Sequence, residues 1–282
     1  MVNWFPGHMA KTKKLIGENI KLVDVVLELV DARLPASSRN PLLGEILGAK
    51  PLVLVLNKAD LAEKAETQKW LDCYQKESIA VISFNSLPKN KGQNDKKNLY
   101  NLIRKQAEEE LSRRNKKGIR NKVIRLMILG IPNVGKSTLI NFLTGRGVTG
   151  TGNKPGVTRG KQWVRLEGEL ELLDMPGILW PKFEDPLIGY KLAATGAIKE
   201  EVYDSLELSL WLLPWLKDNK PGKIAGRYQV EEEQEAARVL EDICHKRGLL
   251  LSGGEPDLEK GAHILLKEFR SGMLGKVTMD VC

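Results

Sequence analysis

An octapeptide at residues 130–137, Gly-Ile-Pro-Asn-Val-Gly-Lys-Ser, constrains this chain more than any other feature, because it matches the pattern GxxxxGK[ST]. The apolar residues 123–129 before it predict a buried strand, and the residues from Lys136 onward predict a helix that ends near Gly145. Such a loop surrounds phosphate oxygens with backbone N–H groups at a helix N-terminus, so a strand must precede it and a helix must follow it. We therefore expect an α/β fold.

The rest of the chain up to residue 185 alternates between strand-like and helical patterns. Further strands are predicted at residues 23–30, 52–56, 79–84, 162–166 and 169–173, and a helix is predicted at 99–111. Runs that are apolar throughout are typical of parallel strands that helices cover on both faces. We predict a parallel sheet flanked by helices in residues 21–185.

Beyond residue 186 the pattern changes, because strand-like runs are scarce and helical periodicity dominates. Helices are predicted at residues 202–216, 231–245 and 258–269. We expect an N-terminal arm with a basic helix in residues 1–20, the sheet domain in 21–185 and a separate all-helical domain in 186–282. Residues 113–122 contain many Lys and Arg residues and Gly118, which indicates a basic linker.

The charge of the chain favours a polyanionic partner such as RNA. The formal net charge is +8 and the pI is about 9.2. Basic segments lie at residues 11–21 and 113–122, and the C-terminal region adds Lys246, Arg247, Lys260, Lys267 and Arg270. These charges could hold phosphates of structured RNA. The alternative is that these residues form solvated helix faces.

The cysteines and the hydropathy pattern indicate the compartment. Cys73, Cys244 and Cys282 show no CxxC spacing, and the three histidines form no metal-ligand pattern with them, so we expect reduced thiols. No apolar run approaches the roughly 20 residues that span a bilayer, and residues 1–10 lack the apolar stretch of a signal peptide. We expect a soluble cytoplasmic protein without a membrane partner.

A second motif lies upstream of the phosphate loop, where Asn57, Lys58, Ala59 and Asp60 follow a predicted strand and match NKxD. In this element a carboxylate, here Asp60, accepts hydrogen bonds from two guanine nitrogens that adenine does not offer in the same arrangement. Lys58 can lay its alkyl stem along the base plane. Asn57 could brace the loop or contact the base edge. The motif selects guanine over adenine.

The turn at residues 83–86, Ser-Phe-Asn-Ser, follows the next predicted strand and can give a backbone N–H to the base through Asn85 and Ser86. In the phosphate loop, Lys136 is expected to reach the β and γ oxygens, and Ser137 is expected to bind Mg²⁺. The full set of nucleotide-binding candidates in this loop is Asn133, Val134, Gly135, Lys136, Ser137 and Thr138.

Two downstream elements complete a GTPase set. Asp174, Met175, Pro176 and Gly177 match DxxG, in which the aspartate holds a Mg²⁺-bound water and the glycine amide meets the γ-phosphate. An ordinary turn at the end of a strand is the alternative. Thr158 is the favoured switch hydroxyl for Mg²⁺ and the γ-phosphate, because Lys-Pro-Gly-Val-Thr-Arg resembles the corresponding segment of translation-factor-class GTPases. Thr149 and Thr151 compete for that role.

All five elements are present, but the base-recognition pair precedes the phosphate elements, so the order is circularly permuted. Permutation is tolerable because all the motifs lie on loops at one edge of the sheet. The sequence resembles the ribosome biogenesis GTPase A family of circularly permuted bacterial GTPases over nearly the whole chain. The resemblance runs from Trp-Phe-Pro-Gly-His-Met at residues 4–9 to Asp-Met-Pro-Gly-Ile-Leu-Trp-Pro-Lys-Phe at residues 174–183.

The resemblance implies a GTPase for maturation of the large (50S) ribosomal subunit. Such a protein binds the subunit precursor and its rRNA in the GTP state, and it hydrolyses GTP on docking. The resemblance also implies that the C-terminal helical region is an RNA-binding bundle. In the permuted order, DxxG leads directly into that region, so we expect γ-phosphate contacts to shift it.

One catalytic residue of Ras-like GTPases is missing, because Ile178 stands where the water-orienting glutamine follows DxxG. The resemblance favours His8 as a substitute, although Trp4 and Phe5 could instead only anchor the N-terminus to the core, with His8 beside them. A K⁺ ion is the second substitute, because Asn133 lies in a loop form that resembles that of potassium-activated GTPases. Asn133 could instead only stabilise the loop turn.

Two other functions compete with a ribosome-activated GTPase. A nucleotide-gated RNA-binding scaffold with incidental hydrolysis would explain the missing glutamine. A GTPase that regulates a protein partner would use its charge only for solubility. We expect a monomer in each case.

Overall fold

The computed structural model describes residues 16–86, 92–118, 122–145, 162–167, 169–174 and 185–282. These residues form two compact units. The sheet unit contains the described residues up to Asp174 together with Thr278–Cys282, and the helical unit contains the described residues from Asp185 to Val277.

The sheet unit is built on six strands: β1 Val25–Asp31, β2 Leu52–Asn57, β3 Ala80–Ser83, β4 Ile124–Gly130, β5 Gln162–Leu166 and β6 Leu170–Asp174. Their order across the sheet is β3-β2-β1-β4-β6-β5. All neighbouring pairs are parallel except β5 and β6, which are antiparallel. The predicted α/β class with a mostly parallel sheet is confirmed.

The central strands are apolar because helices cover both faces of the sheet. Every residue of β1 is buried. Val26 packs in one core cluster with Met127 and Leu129, and Val30 packs in a second cluster with Leu54 and Leu56. Glu28 is polar but lies between apolar residues of β1, and its carboxylate accepts from the Asn40 N–H at 3.2 Å and from the Arg39 Nε at 3.3 Å.

The α-helices with both ends in the described part of this unit are α1 Leu42–Leu47, α2 Lys64–Lys76, α3 Gly92–Lys116 and α4 Lys136–Thr144. Residues 16–19 are also α-helical, and a 3-10 helix follows at Ile20–Leu22. The linker expected from residue 113 onward is wrong at its start, because α3 continues through Arg113 and Arg114 to Lys116. Arg114 forms ion pairs with Asp24 and with Glu110, and these contacts hold the basic end of the helix.

Two ends of the chain pack differently from the domain boundaries expected from the sequence. Ile16 and Ile20 lie one helical turn apart and are buried in the core cluster of the sheet unit, so they do not belong to a separate arm. The C-terminal tail, Thr278–Cys282, was expected in the helical domain but packs with the sheet unit.

The structure also changes the expected state of two cysteines, because Cys73 in α2 and Cys282 in the tail form a disulfide with their Cα atoms 6.7 Å apart. The expectation of reduced thiols is therefore wrong for this pair. Spacing along the chain gave no sign of it, since the two residues are 209 positions apart. Cys244 is buried and carries a free thiol.

The described part of the helical unit contains five α-helices, α5 Pro186–Ala194, α6 Ser205–Asn219, α7 Lys223–Tyr228, α8 Ala236–Arg247 and α9 Leu258–Arg270, and a 3-10 helix at Glu200–Val202. Three of these helices, α5, α6 and α9, begin after an aspartate whose side chain accepts hydrogen bonds from backbone N–H groups of the first turn. These residues are Asp185, Asp204 and Asp257. Across the described residues, no helix is both long and apolar enough to cross a membrane.

Candidate functional site

The carboxyl ends of the parallel strands meet at one edge of the sheet and bring the predicted motifs together there. β2 ends at Asn57 and β4 ends at Gly130, while β1 lies between them. In the register of the sheet, Asp31 at the end of β1 lies opposite Asn57. Ligands of open parallel α/β sheets bind at this edge.

Asn57 connects three of the motifs. Its side-chain Nδ2 donates to the Val134 carbonyl in the phosphate loop at 2.7 Å. Its Oδ1 accepts from the backbone N–H of Ser86 at 3.2 Å and from the Ser86 hydroxyl at 2.7 Å. The orientation of the amide is fixed, because a carbonyl only accepts and a backbone N–H only donates. The side chain is 1% exposed, so both ends of its amide bind the protein itself.

The phosphate loop depends on close backbone approach. Gly135 has φ +101°, and a Cβ atom there would overlap the side-chain amide nitrogen of Asn57. Only glycine satisfies both demands. Lys136 is 9% exposed, and its Nζ donates to the carbonyls of Gly130 at 3.0 Å and Ile131 at 2.8 Å. The lysine ammonium therefore lies within the loop, at the N-terminus of α4.

The remaining predicted residues of this loop lie beside the lysine. Ser137 and Thr138 are in the first turn of α4, and both are half-buried. Asn133 is exposed at the crest of the loop and has φ +56°, a left-handed conformation that asparagine adopts more readily than most residues. A helix N-terminus with converging N–H groups and one lysine suits a polyphosphate.

The NKxD loop leaves β2 through Lys58, whose φ is +58°. The backbone N–H of Ala59 donates to the Phe84 carbonyl at 3.2 Å, which joins this loop to the turn that contains Asn85 and Ser86. Asp60 is exposed to solvent at the same edge. The two elements that were predicted to recognise the base therefore form one connected structure.

Sequence reasoning missed Asp31 and Arg33, which lie at this edge of the sheet. The Lys58 Nζ lies 3.0 Å from the Asp31 carboxylate, and Arg33 binds the same carboxylate through its guanidinium. Burial by itself would raise the pKa of Asp31, but the positive charges of Arg33 and Lys58 outweigh it and hold that pKa below its usual value. Burial lowers the pKa of Lys58, and the Asp31 carboxylate opposes that shift. The available signal was an Asp-Ala-Arg sequence directly after a buried strand.

Some predicted site residues lie outside the described residues. They are His8, Thr149, Thr151, Thr158, Gly177 and Ile178. Asp174 ends β6 at the same edge of the sheet, and only its backbone is described.

Relatives of known name resemble the chain over its whole length. It is 42% identical to "Ribosome biogenesis GTPase A" of Bacillus licheniformis over 281 residues, which cover 99% of this chain and 98% of the relative. The Thermotoga maritima protein of the same name is 30% identical and is 94% covered. This chain belongs to the ribosome biogenesis GTPase A family. The resemblance inferred from the motifs is confirmed.

Other comparisons agree with membership of the ribosome biogenesis GTPase A family. A family model described as "50S ribosome-binding GTPase" matches residues 125–244. The GNP-bound structure of YlqF from T. maritima is 27% identical, with a TM-score of 0.65 and coverage of 96% of this chain and 97% of that one. The GDP-bound structure of the same protein gives a TM-score of 0.67, with 94% and 98% covered. As a member of the ribosome biogenesis GTPase A family, the chain binds GTP and GDP and hydrolyses GTP.

Proposed function

We propose that this GTPase matures the large ribosomal subunit by binding the subunit precursor and its rRNA in the GTP state and hydrolysing GTP on docking. The observation that carries the proposal is the connection of the base-recognition and phosphate loops through Asn57 at one sheet edge. The match to a "50S ribosome-binding GTPase" model supports the choice of partner.

In this proposal, each motif of the edge contacts one part of the nucleotide. Asp60 recognises the guanine, the stem of Lys58 covers the base, and the turn with Asn85 and Ser86 supplies a backbone N–H. The backbone of residues 133–138 and the Lys136 ammonium hold the phosphates. The Gly177 amide meets the γ-phosphate.

A magnesium ion fits the chemistry of the same edge. Ser137 offers a hydroxyl directly after the phosphate-binding lysine, and Mg²⁺ at phosphates usually takes only one or two protein ligands. Thr158 and Asp174 are the other proposed partners, the latter through a bound water. The ion would neutralise charge on the β and γ oxygens when bound.

Because Ile178 replaces the usual glutamine, activation has to come from elsewhere. We assign it to His8 and to a K⁺ ion near Asn133, whose amide oxygen is a suitable ligand type for K⁺. A cation beside the phosphates would offset developing negative charge as an arginine finger does.

The rRNA contact is assigned to the basic residues of the helical unit. Lys246 and Arg247 end α8, and Lys260, Lys267 and Arg270 lie on α9. Arg247 and Arg270 also form ion pairs with Glu268 and Glu200, respectively, and Lys260 pairs with Asp257. We therefore assign most of the phosphate contact to Lys246 and Lys267. Phosphate contacts of this kind weaken steeply with salt.

The decisive test is steady-state GTP hydrolysis with and without purified large ribosomal subunits, for wild type and His8→Ala. We expect subunits to stimulate the wild type, and potassium to support faster turnover than sodium at equal ionic strength. His8→Ala should still co-sediment with subunits but lose the stimulation. Without stimulation of either protein, the scaffold or the protein-partner regulator becomes the better explanation.

The guanine assignment has a separate test. Asp60→Asn should weaken GTP binding and favour xanthosine triphosphate, because the amide cannot accept both hydrogen bonds from guanine. Unchanged GTP affinity would contradict the role of Asp60.

A further inference from the structure

We propose that Asp31 and Arg33 are positioning residues for Lys58, and that the C-terminal tail, Thr278–Cys282, holds this network in place for guanine nucleotide binding. The inference rests on the proposed role of residues 57–60 as the base-recognition loop. It extends that role to residues from β1 and from the C-terminus.

The Asp31 carboxylate is saturated by donors. Its Oδ1 accepts from the Arg33 backbone N–H at 3.1 Å and from Arg33 Nε at 2.9 Å. Its Oδ2 accepts from Arg33 Nη2 at 2.8 Å and lies 3.0 Å from Lys58 Nζ. A carboxylate has about four lone-pair sites, and these four donors fill them. Arg33 therefore fixes the carboxylate in the one orientation that also reaches Lys58.

Lys58 is then held at both ends. Its backbone adopts the left-handed region, which a lysine keeps only where neighbouring structure determines it. Its ammonium is paired with Asp31, and the side chain remains 25% exposed. The alkyl stem between these two fixed points is the part expected to cover the guanine face. Ordering a long side chain before the ligand arrives lowers the cost of binding.

The tail holds the loop that carries Arg33. The Met279 N–H donates to the Arg33 carbonyl at 2.8 Å. The Asp280 carboxylate accepts from the backbone N–H groups of Ala36 at 3.0 Å and Ser37 at 2.7 Å, and from the Ser37 hydroxyl at 2.7 Å. Asp280 is 5% exposed, so these are sheltered contacts.

The same tail also contacts the start of α2, which follows the base-recognition loop. Thr278 Oγ1 accepts from the Glu63 N–H at 3.3 Å, and Trp70 Nε1 donates to the Asp280 carbonyl at 3.4 Å. The disulfide between Cys73 and Cys282 ties the end of the tail to this helix. The loop after β1 and the loop after β2 thus share one external support.

The test is a double-mutant cycle on GDP affinity in the full-length protein, with Asp31→Asn, Lys58→Met and the double variant. Each single variant should weaken GDP binding about tenfold, the order of magnitude of one charge-assisted contact. Because Asp31 acts through Lys58, the double variant should be no weaker than Lys58→Met alone. Inosine diphosphate should lose affinity by the same factor as GDP, since base selection lies with Asp60.

The outcomes separate two failures. If Lys58→Met binds GDP like the wild type, residues 57–60 are not a base-recognition loop and the proposed function loses its guanine element. If Lys58→Met is weakened and Asp31→Asn is not, the positioning proposal is wrong while the proposed function stands. Additive losses in the double variant would also overturn it, because they would mean that Asp31 acts independently of Lys58.

A variant of the tail keeps the proposal testable if Asp31→Asn does not fold. Met279→Pro removes the N–H that binds the Arg33 carbonyl, and Met279→Ala keeps it while shortening the side chain. We expect the proline variant to bind GDP about fivefold more weakly, as for one neutral hydrogen bond. The alanine variant should bind as the wild type does. Equal affinity of the two variants would overturn the role of the tail.

Discussion

The phosphate loop and the proposed base-recognition loop, residues 57–60, lie at the same edge of the sheet, but different interactions hold them. The phosphate loop depends on backbone geometry, with Gly135 close against Asn57 and the Lys136 ammonium on the loop's own carbonyls. The base-recognition loop depends on a buried charge network in which Asp31 binds Arg33 and Lys58. Asn57 is the direct link between the two loops.

The difference between the two loops shows that a sequence motif includes only those determinants of a site that are close together along the chain. Apart from the contact with Asn57, the determinants of the phosphate loop lie within one octapeptide, so the sequence pattern includes most of the structural requirement. The supports of the base-recognition loop come from β1 and from the C-terminal tail. Those supports meet only after the sheet has formed, and no local pattern joins them to residues 57–60.

Gly135→Ala should have the largest effect, because it attacks the geometry of the phosphate loop directly. A Cβ atom would overlap the Asn57 amide, and φ +101° is strained for alanine. We expect GDP affinity to fall at least about a hundredfold, since strain and overlap together cost roughly 3–4 kcal/mol. Equilibrium binding of a fluorescent GDP analogue measures it.

Gly145→Ala is the matched control for this substitution. Gly145 also has a positive φ, but nothing lies within 4 Å of a Cβ atom there. It should cost about 1 kcal/mol of stability and leave GDP affinity unchanged. Similar affinity losses in both variants would show that backbone strain alone, and not the contact with Asn57, matters.

Loss of the Cys73–Cys282 disulfide should have the next largest effect, because this bond ties the C-terminal tail to α2. Cys73→Ser and Cys282→Ser should each lower the unfolding free energy of the sheet unit by about 2–4 kcal/mol under oxidising conditions. The double variant should lose no more than either single variant. Thermal unfolding with and without a thiol reductant measures it. A wild type that is indifferent to reductant would show that the bond does not form in solution.

Asn57→Asp tests the link between the two loops. The carboxylate keeps an acceptor for Ser86 but loses the donor to the Val134 carbonyl, and two acceptors then face each other. We expect a loss of about 2 kcal/mol in unfolding free energy, because a buried group is left without its partner. Urea denaturation measures this, and GDP binding should weaken in parallel.

Asn219→Asp provides the comparison for this variant. Asn219 also donates to a backbone carbonyl, that of Trp215 at 2.8 Å, but the bond is exposed at the end of α6. Water can replace it there, so the change should stay within about 0.5 kcal/mol. Equal losses in the two variants would contradict a bracing role for Asn57.

The same distinction between local and long-range determinants explains what the sequence could predict. All six strands were predicted, the central ones because strands buried on both faces are continuous apolar runs, and β5 and β6 because they flank the Glu-Gly pair at residues 167–168. The end of α3 was missed because its basic residues resemble a linker until Arg114 meets Asp24. The tail and the Cys73–Cys282 bond were missed for the same reason, since their partners are remote in sequence. In the site, the local motifs predicted the loop residues, whereas the contact of Asp31 and Arg33 with Lys58 became visible only in the folded structure.

Glu28 is a second buried carboxylate on β1, and it lacks the network of paired charges that surrounds Asp31. Glu28 has only the partly exposed Arg39 as a cationic partner among the ion pairs of the described residues. Burial raises the pKa of Glu28 above its usual value of 4.5, against the opposing effect of Arg39. Its folded pKa is raised, so its contribution to stability is present in acid and is lost as the pH rises through that pKa.

The Glu28 carboxylate makes the fold less stable as the pH rises, whereas Asp31, with its lowered pKa, does not. Glu28→Gln should therefore remove that pH-dependent loss of stability. The variant should gain on the wild type by on the order of 1 kcal/mol between pH 5 and 8, because the glutamine carries no charge to bury. Urea unfolding across that range measures the difference, and the exposed Glu77→Gln serves as the control. Parallel pH profiles for wild type and Glu28→Gln would mean that Arg39 and the Asn40 N–H compensate the buried charge fully, and that Glu28 is as well matched as Asp31.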